Sequence, residues 1–75
     1  MENLNIGAIM GQLFTGKKLV VECDMWHVTI ISRGKYFHMM TETSTKKYNA
    51  NSMRSFLQNV KMMSKDDKSI KVEFK

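Results

Sequence analysis

The chain has no proline, only four glycines and a single cysteine among its 75 residues. This composition excludes collagen-like repeats, low-complexity linkers and disordered tails, and the length predicts one domain. Cys23 alone cannot form an intramolecular disulfide, so the fold needs no oxidising compartment. The first five residues carry Glu2 and no basic residue, and Gly7 and Gly11 interrupt the apolar stretch that follows. We therefore expect no signal peptide, no membrane span and a cytoplasmic location.

Acidic residues are the minority, with 7 Asp and Glu against 12 Lys and Arg, which gives a formal net charge of +5. Residues 43–65 contain no acid at all. We expect the positive residues of this segment to form one surface that contacts phosphate or an acidic protein surface: Lys46, Lys47, Arg54, Lys61 and Lys65. A solvated helix face is the alternative interpretation of the same segment.

Apolar residues recur at helical spacing in two segments. Ile6, Ile9, Met10 and Leu13 form one stripe, which predicts a helix capped by Asn5 that ends at Phe14, with Gly16 in a left-handed conformation behind it. Met53, Phe56, Leu57 and Val60 form a second stripe, which predicts a helix over residues 50–64 capped by Asn49 or Asn51. Residues 65–68 are predicted to be a turn, and residues 43–49 a polar loop.

Three other segments alternate between apolar and polar residues, which is typical of half-buried strands. We predict strands over residues 17–24, 26–33 and 35–43, and a last strand carrying Ile70, Val72 and Phe74 at a sheet edge. The predicted order is α-β-β-β-α-β, an α+β fold in which two helices cover one face of an antiparallel sheet.

Two tight turns would fix the register of the first three strands. A turn at Asp24-Met25 places Val21 opposite Val28. A turn at Arg33-Gly34 places Ile30 opposite Phe37, Val28 opposite Met39 and Trp26 opposite Thr41. Both hairpins then bury their apolar residues on one face, together with the aromatic core candidates Trp26, Phe37 and Phe56.

The same register predicts an open sheet face of mixed character. Its residues are Lys18, Val20, Glu22, His27, Thr29, Ile31, Tyr36, His38, Met40 and Glu42. We expect Ile31, Tyr36, His38 and Met40 to form a contact surface for a homodimer or for another protein, since dimerisation supplements a small core. An ordinary half-hydrated sheet face is the alternative.

Chemistry-bearing motifs are scarce. The chain lacks a nucleophile elbow, a glycine-rich phosphate loop, a paired-cysteine motif and a His-Glu-x-x-His motif. We therefore expect that the protein is not an enzyme and that it binds no cofactor and no metal. The remaining cluster is His27, His38 and Glu22 on the open face, whose side chains could sequester a metal or a small molecule.

Two resemblances follow from these features. Residues 26–30, Gly34-Lys35 and the helix over residues 53–60 resemble the three-strand-plus-helix DNA-binding module of tyrosine recombinases, which implies contact with the duplex. In this chain the face that would read DNA carries Glu22, Glu42, Ile31 and Met40, which are unfavourable for contact with DNA.

The short chain, rich in Lys and Met and without an active site, also resembles the small proteins that bacteriophages use to take over their hosts. That resemblance implies an inhibitor or adaptor that blocks a host replication, transcription or defence protein.

Overall fold

A computed structural model describes residues 5–75, which form two helices and five strands. In chain order these are α1 (Ile6–Phe14), β1 (Leu19–Glu22), β2 (His27–Arg33), β3 (Tyr36–Met40), β4 (Thr45–Tyr48), α2 (Ala50–Asp66) and β5 (Lys71–Phe74). The strands form one antiparallel sheet in the order β4-β3-β2-β1-β5. The predicted α+β class is confirmed, and one strand, β4, replaces the predicted polar loop.

Both helices begin at a capping residue that the sequence predicts. The Asn5 carboxamide oxygen accepts a hydrogen bond from the Ala8 N–H at 3.0 Å, and Gly16 has a φ of 93° behind α1. The Asn49 carboxamide oxygen accepts from the Ser52 N–H at 2.8 Å, so Asn49 is the cap of α2. These bonds satisfy N–H groups that lack a partner in the first helical turn.

Helix α2 runs two residues beyond its predicted end. Ser64 is buried, and its hydroxyl donates to the Lys61 carbonyl oxygen at 2.8 Å, which keeps it inside the helix. Asp67 is the C-terminal cap, and its carboxylate accepts hydrogen bonds from both the Ser69 N–H and the Ser69 hydroxyl. The prediction of a turn over residues 65–68 is therefore wrong at its start, because the tight turn begins at Asp67.

The hairpin of β1 and β2 has the predicted register, with Leu19 opposite Ile30 and Val21 opposite Val28. The hairpin of β2 and β3 is shifted by two residues, since Ile30 lies opposite Met39 rather than Phe37. Its turn residues are Gly34 and Lys35, and Gly34 has a φ of 61°. A tight hairpin needs a positive φ at the first turn position, where a glycine costs less than the Arg33 of the predicted turn.

A shift of two residues leaves every side chain on the face that was predicted for it, because the strand period is two. The core is formed by both helix stripes and the inward-facing strand residues: Ile9, Met10, Leu13, Leu19, Val21, Val28, Ile30, Phe37, Met39, Met53, Leu57, Val60, Ile70 and Val72. Phe56 is partly buried against this cluster. Both helices therefore pack on one side of the sheet, and no other part of residues 5–75 covers the opposite side.

Candidate functional site

The uncovered side of the sheet carries the residues that the sequence predicts for it. Cross-strand partners on this face include Val20 with Thr29, Thr29 with Met40, and Ile31 with His38. Ile31, His38 and Met40 are half-buried, and Tyr36 is 45 % exposed, which is a large exposure for an aromatic side chain. Among the described residues, none forms a layer over this face, and its apolar surface is open to solvent.

Strand β4 adds a positive charge to this face. Lys47 lies opposite His38 in the sheet, and its ammonium nitrogen lies 5.1 Å from the centroid of the Tyr36 ring. This distance is typical of a cation–π contact. We call Ile31, Tyr36, His38, Met40 and Lys47 the basic-aromatic patch.

The basic segment does not form one continuous surface. Lys46 lies opposite the inward-facing Met39, so Lys46 and Lys47 point to opposite sides of the sheet, as consecutive strand residues must. The predicted joining of both lysines with the cations of α2 is wrong for Lys47, which belongs to the basic-aromatic patch. Arg54 and Lys61 are seven residues apart on α2, and Lys65 lies one turn further along the same flank.

The acidic residues of the open face lie outside the patch. Glu22 on β1 and Glu73 on β5 occupy the opposite half of the sheet. Glu42 follows the end of β3, where its carboxylate oxygen lies 3.8 Å from Nδ1 of His27. The five residues of the patch include no acid, so its local charge is positive.

The predicted cluster of Glu22, His27 and His38 does not assemble. The register of β2 and β3 places His38 opposite Ile31, four residues along the strand from His27. Within residues 5–75, no group of three His, Cys, Asp or Glu side chains is arranged to hold a metal ion. Glu22 does lie opposite His27, as the register of β1 and β2 predicts, and Glu42 rather than His38 is the further titratable neighbour of His27.

A cleft of about 610 Å³ lies at the end of the sheet where β1 turns into β2 and β3 leaves the sheet. We call it the terminal cleft. Its lining residues are Cys23, Asp24, Met25, Trp26, His27, Val28, Thr41, Glu42, Thr43 and Phe56. They come from the β1–β2 turn, the start of β2, the segment after β3 and the middle of α2. The strands thus bring together residues that are far apart in the sequence.

The sequence assigns Trp26 to the core, and this prediction is wrong. Trp26 is 36 % exposed and lines the terminal cleft. The paired part of β2 and β3 ends at Thr29 and Met40, so no strand residue lies across from Trp26 on that side. One feature of the sequence indicates this exposure: Trp26 directly follows the Asp24-Met25 turn and so lies at the end of a strand, where burial is incomplete.

Comparison with protein-family models, with characterised proteins and with solved structures finds no match to this chain. Neither helix that the structure describes combines the length and the apolar composition that a membrane crossing requires.

Proposed function

We propose that this chain is a non-enzymatic binding protein whose basic-aromatic patch docks on an acidic surface of a partner protein. The observation that carries the proposal is the Lys47 ammonium group 5.1 Å from an exposed Tyr36 ring, beside half-buried Ile31 and Met40. Aromatic and apolar side chains are typical of the centre of protein interfaces, and a neighbouring cation adds charge complementarity at their edge. An acidic partner supplies the complementary charge.

The composition of the patch favours a protein over duplex nucleic acid. Affinity for a duplex comes from many cations that track the phosphates. Here Lys46 points to the other side of the sheet and the cations of α2 lie on a helix flank, so they cannot all face one duplex together with Lys47. The apolar area of Ile31, Tyr36 and Met40 has no counterpart on a phosphate backbone, whereas a protein surface can bury it.

A second copy of the chain fits the patch less well than an acidic partner does. A two-fold contact brings the same surface of each copy together. Centred on Tyr36, it places Lys47 of one copy close to Lys47 of the other, and the nearest compensating acids of the described face lie outside the patch. The predicted homodimer therefore requires a contact displaced toward Glu22 and Glu73.

Docking of this kind blocks whatever else binds the covered surface of the partner. An inhibitor or adaptor of a protein in the replication, transcription or defence machinery of a host, acting in the cytoplasm, is the biological role that we propose on this basis. Steric occlusion needs no catalytic group, which agrees with a surface made of contact residues.

The test is a titration of the ¹⁵N-labelled chain with three probes: an acidic peptide of Glu, Asp and Leu, its Gln, Asn and Leu counterpart, and random duplex DNA. We expect the acidic peptide to shift amide signals on β2, β3 and β4 and the neutral peptide to shift none. Lys47→Glu should weaken binding by about tenfold, since reversal of a charge within an apolar contact costs about 1.4 kcal/mol or more. Arg54→Glu makes the same charge change on α2 and should leave binding within about twofold, as expected for a charge outside the contact.

Three results contradict the proposal. Equal weakening by Lys47→Glu and Arg54→Glu shows that only net charge matters. Tighter binding to duplex DNA with a steep dependence on salt identifies a nucleic-acid-binding protein. A dimer in sedimentation that the Tyr36→Ser substitution dissociates shows that a second copy occupies the patch.

A further inference from the structure

The terminal cleft has a defined shape because hydrogen bonds hold both of its rims. The Cys23 N–H donates to the Trp26 carbonyl oxygen at 2.8 Å, which closes the turn that carries Asp24. On the opposite rim, the Thr41 N–H donates to the Ser44 carbonyl oxygen at 2.8 Å, and the Thr41 hydroxyl oxygen accepts from the Ser44 N–H at 3.1 Å. The two backbone turns that carry Asp24 and Glu42 are therefore ordered, and a ligand need not order them from a mobile loop.

The charge of the terminal cleft is opposite to that of the whole chain. Its lining includes the carboxylates of Asp24 and Glu42 and includes no Lys or Arg among the described residues. Its remaining titratable side chains are His27, which lies 3.8 Å from Glu42, and Cys23. A local excess of negative charge on a chain with a net charge of +5 favours a cationic ligand.

Aromatic and sulfur-containing side chains complete the lining. Trp26 is partly exposed there, Phe56 borders the cleft from α2, and Met25 is 88 % exposed on the turn between β1 and β2. The indole ring is the side chain that attracts a cation most strongly through its π face. Carboxylates that line one cleft with an indole can bind both the charge and the alkyl part of an organic cation.

We infer that the terminal cleft binds an organic cation that carries a guanidinium or primary ammonium group. Its volume of about 610 Å³ lies within the range of small-molecule sites. A bare metal ion does not fit this lining, because the described residues provide no group of three ligands and the ring faces offer no coordinating atom. The same chemistry is carried by an arginine side chain of a peptide and by a free polyamine.

Trp26 is the only tryptophan of the chain, so its fluorescence reports on this cleft directly. The probes are acetyl-arginine amide for a peptide side chain, spermidine for a free polyamine and acetyl-citrulline amide as the uncharged counterpart, all at constant ionic strength. We expect a saturable change with one or both cations and none with acetyl-citrulline amide. The tighter of the two cations identifies the source of the ligand.

Charge-neutral variants test the assigned carboxylates. Glu42→Gln and Asp24→Asn should each raise the dissociation constant by about fivefold, which is the upper end of the effect expected for loss of an exposed charged partner. Glu73→Gln removes the same charge on β5, outside the cleft, and should leave the dissociation constant unchanged within about twofold. Equal binding of the uncharged amide, equal effects of all three variants, or a linear response without saturation would each overturn the inference. Circular dichroism of each variant distinguishes loss of the site from loss of the fold.

Discussion

Removal of the cap of α2 is the sharpest test of how this helix begins. The perturbation is Asn49→Ala, which deletes the oxygen that accepts the Ser52 N–H at 2.8 Å. Because Ser52 is exposed, water can replace the lost acceptor, and the expected loss of unfolding free energy is about 1 kcal/mol rather than the larger cost of a buried group. For a domain of this size, that loss lowers the Tm by about 4–8 °C.

The assay is thermal unfolding followed by circular dichroism, with Asn51→Ala as the matched control. Asn51 is exposed inside the first turn, where alanine is the better helix former, so its replacement should leave the Tm unchanged or raise it slightly. An Asn51→Ala variant that loses as much stability as Asn49→Ala would refute the assignment of the cap. So would an Asn49→Ala variant that keeps the Tm of the unchanged chain.

Three other predictions concern the turns and the core. Gly34→Ala should lower the unfolding free energy by about 1 kcal/mol, because Gly34 has a φ of 61°. Gly11→Ala should raise the unfolding free energy by about 0.5–1 kcal/mol, since a Cβ at this helical position meets no atom within 4 Å. Urea unfolding of both variants measures these opposite changes. The hydroxyl and then the N–H of Ser69 lower the pKa of Asp67, so stability from this carboxylate is present above its unfolded pKa of 3.8 and is lost as pH falls through the lower folded value. Ser69→Ala should move that pKa back toward 3.8 in a carboxyl NMR titration, and an unchanged value would contradict the stated cause. Leu57→Ala should cost about 2–5 kcal/mol through the cavity that it leaves in the core, and a loss below about 1 kcal/mol would show that Leu57 is not fully buried.

The alternation of apolar residues was sufficient to predict which sides of β1, β2 and β3 are buried. It was not sufficient to place the second turn, since Arg33-Gly34 and Gly34-Lys35 give the same pattern of buried and exposed residues. The conformation that a glycine permits at the first turn position distinguishes them, and the observed φ of Gly34 places the turn at Gly34-Lys35. Local backbone energetics therefore decided the register where hydrophobicity did not.

Strand β4 could not be recognised from its side chains. Three of its four residues, Thr45, Lys46 and Lys47, are exposed, and only Tyr48 packs against the core. Such a strand is stabilised by backbone hydrogen bonds to β3, and lysines on an edge strand also discourage pairing with other chains. The position of Lys47 in the basic-aromatic patch depends on this strand and was therefore not predictable.

The terminal cleft depends on where strand pairing stops. Sequence alternation places Trp26 on the inward side, and in the structure it lines the terminal cleft together with Val28 and Phe56. However, β3 ends at Met40, and the following residues turn away from β2, so the ring of Trp26 is only partly covered. The end of a paired segment is a tertiary property that periodicity does not contain.

A charge exchange across the proposed interface tests whether Lys47 contacts the acidic partner. Lys47→Glu in this chain is measured against two peptides by isothermal titration calorimetry: the acidic peptide, and a counterpart whose Glu and Asp residues are replaced by Lys. We expect Lys47→Glu to weaken binding to the acidic peptide by about tenfold and to strengthen binding to the basic one, whereas Arg54→Glu should do neither. The same response of both variants to both peptides would contradict a specific role for the basic-aromatic patch.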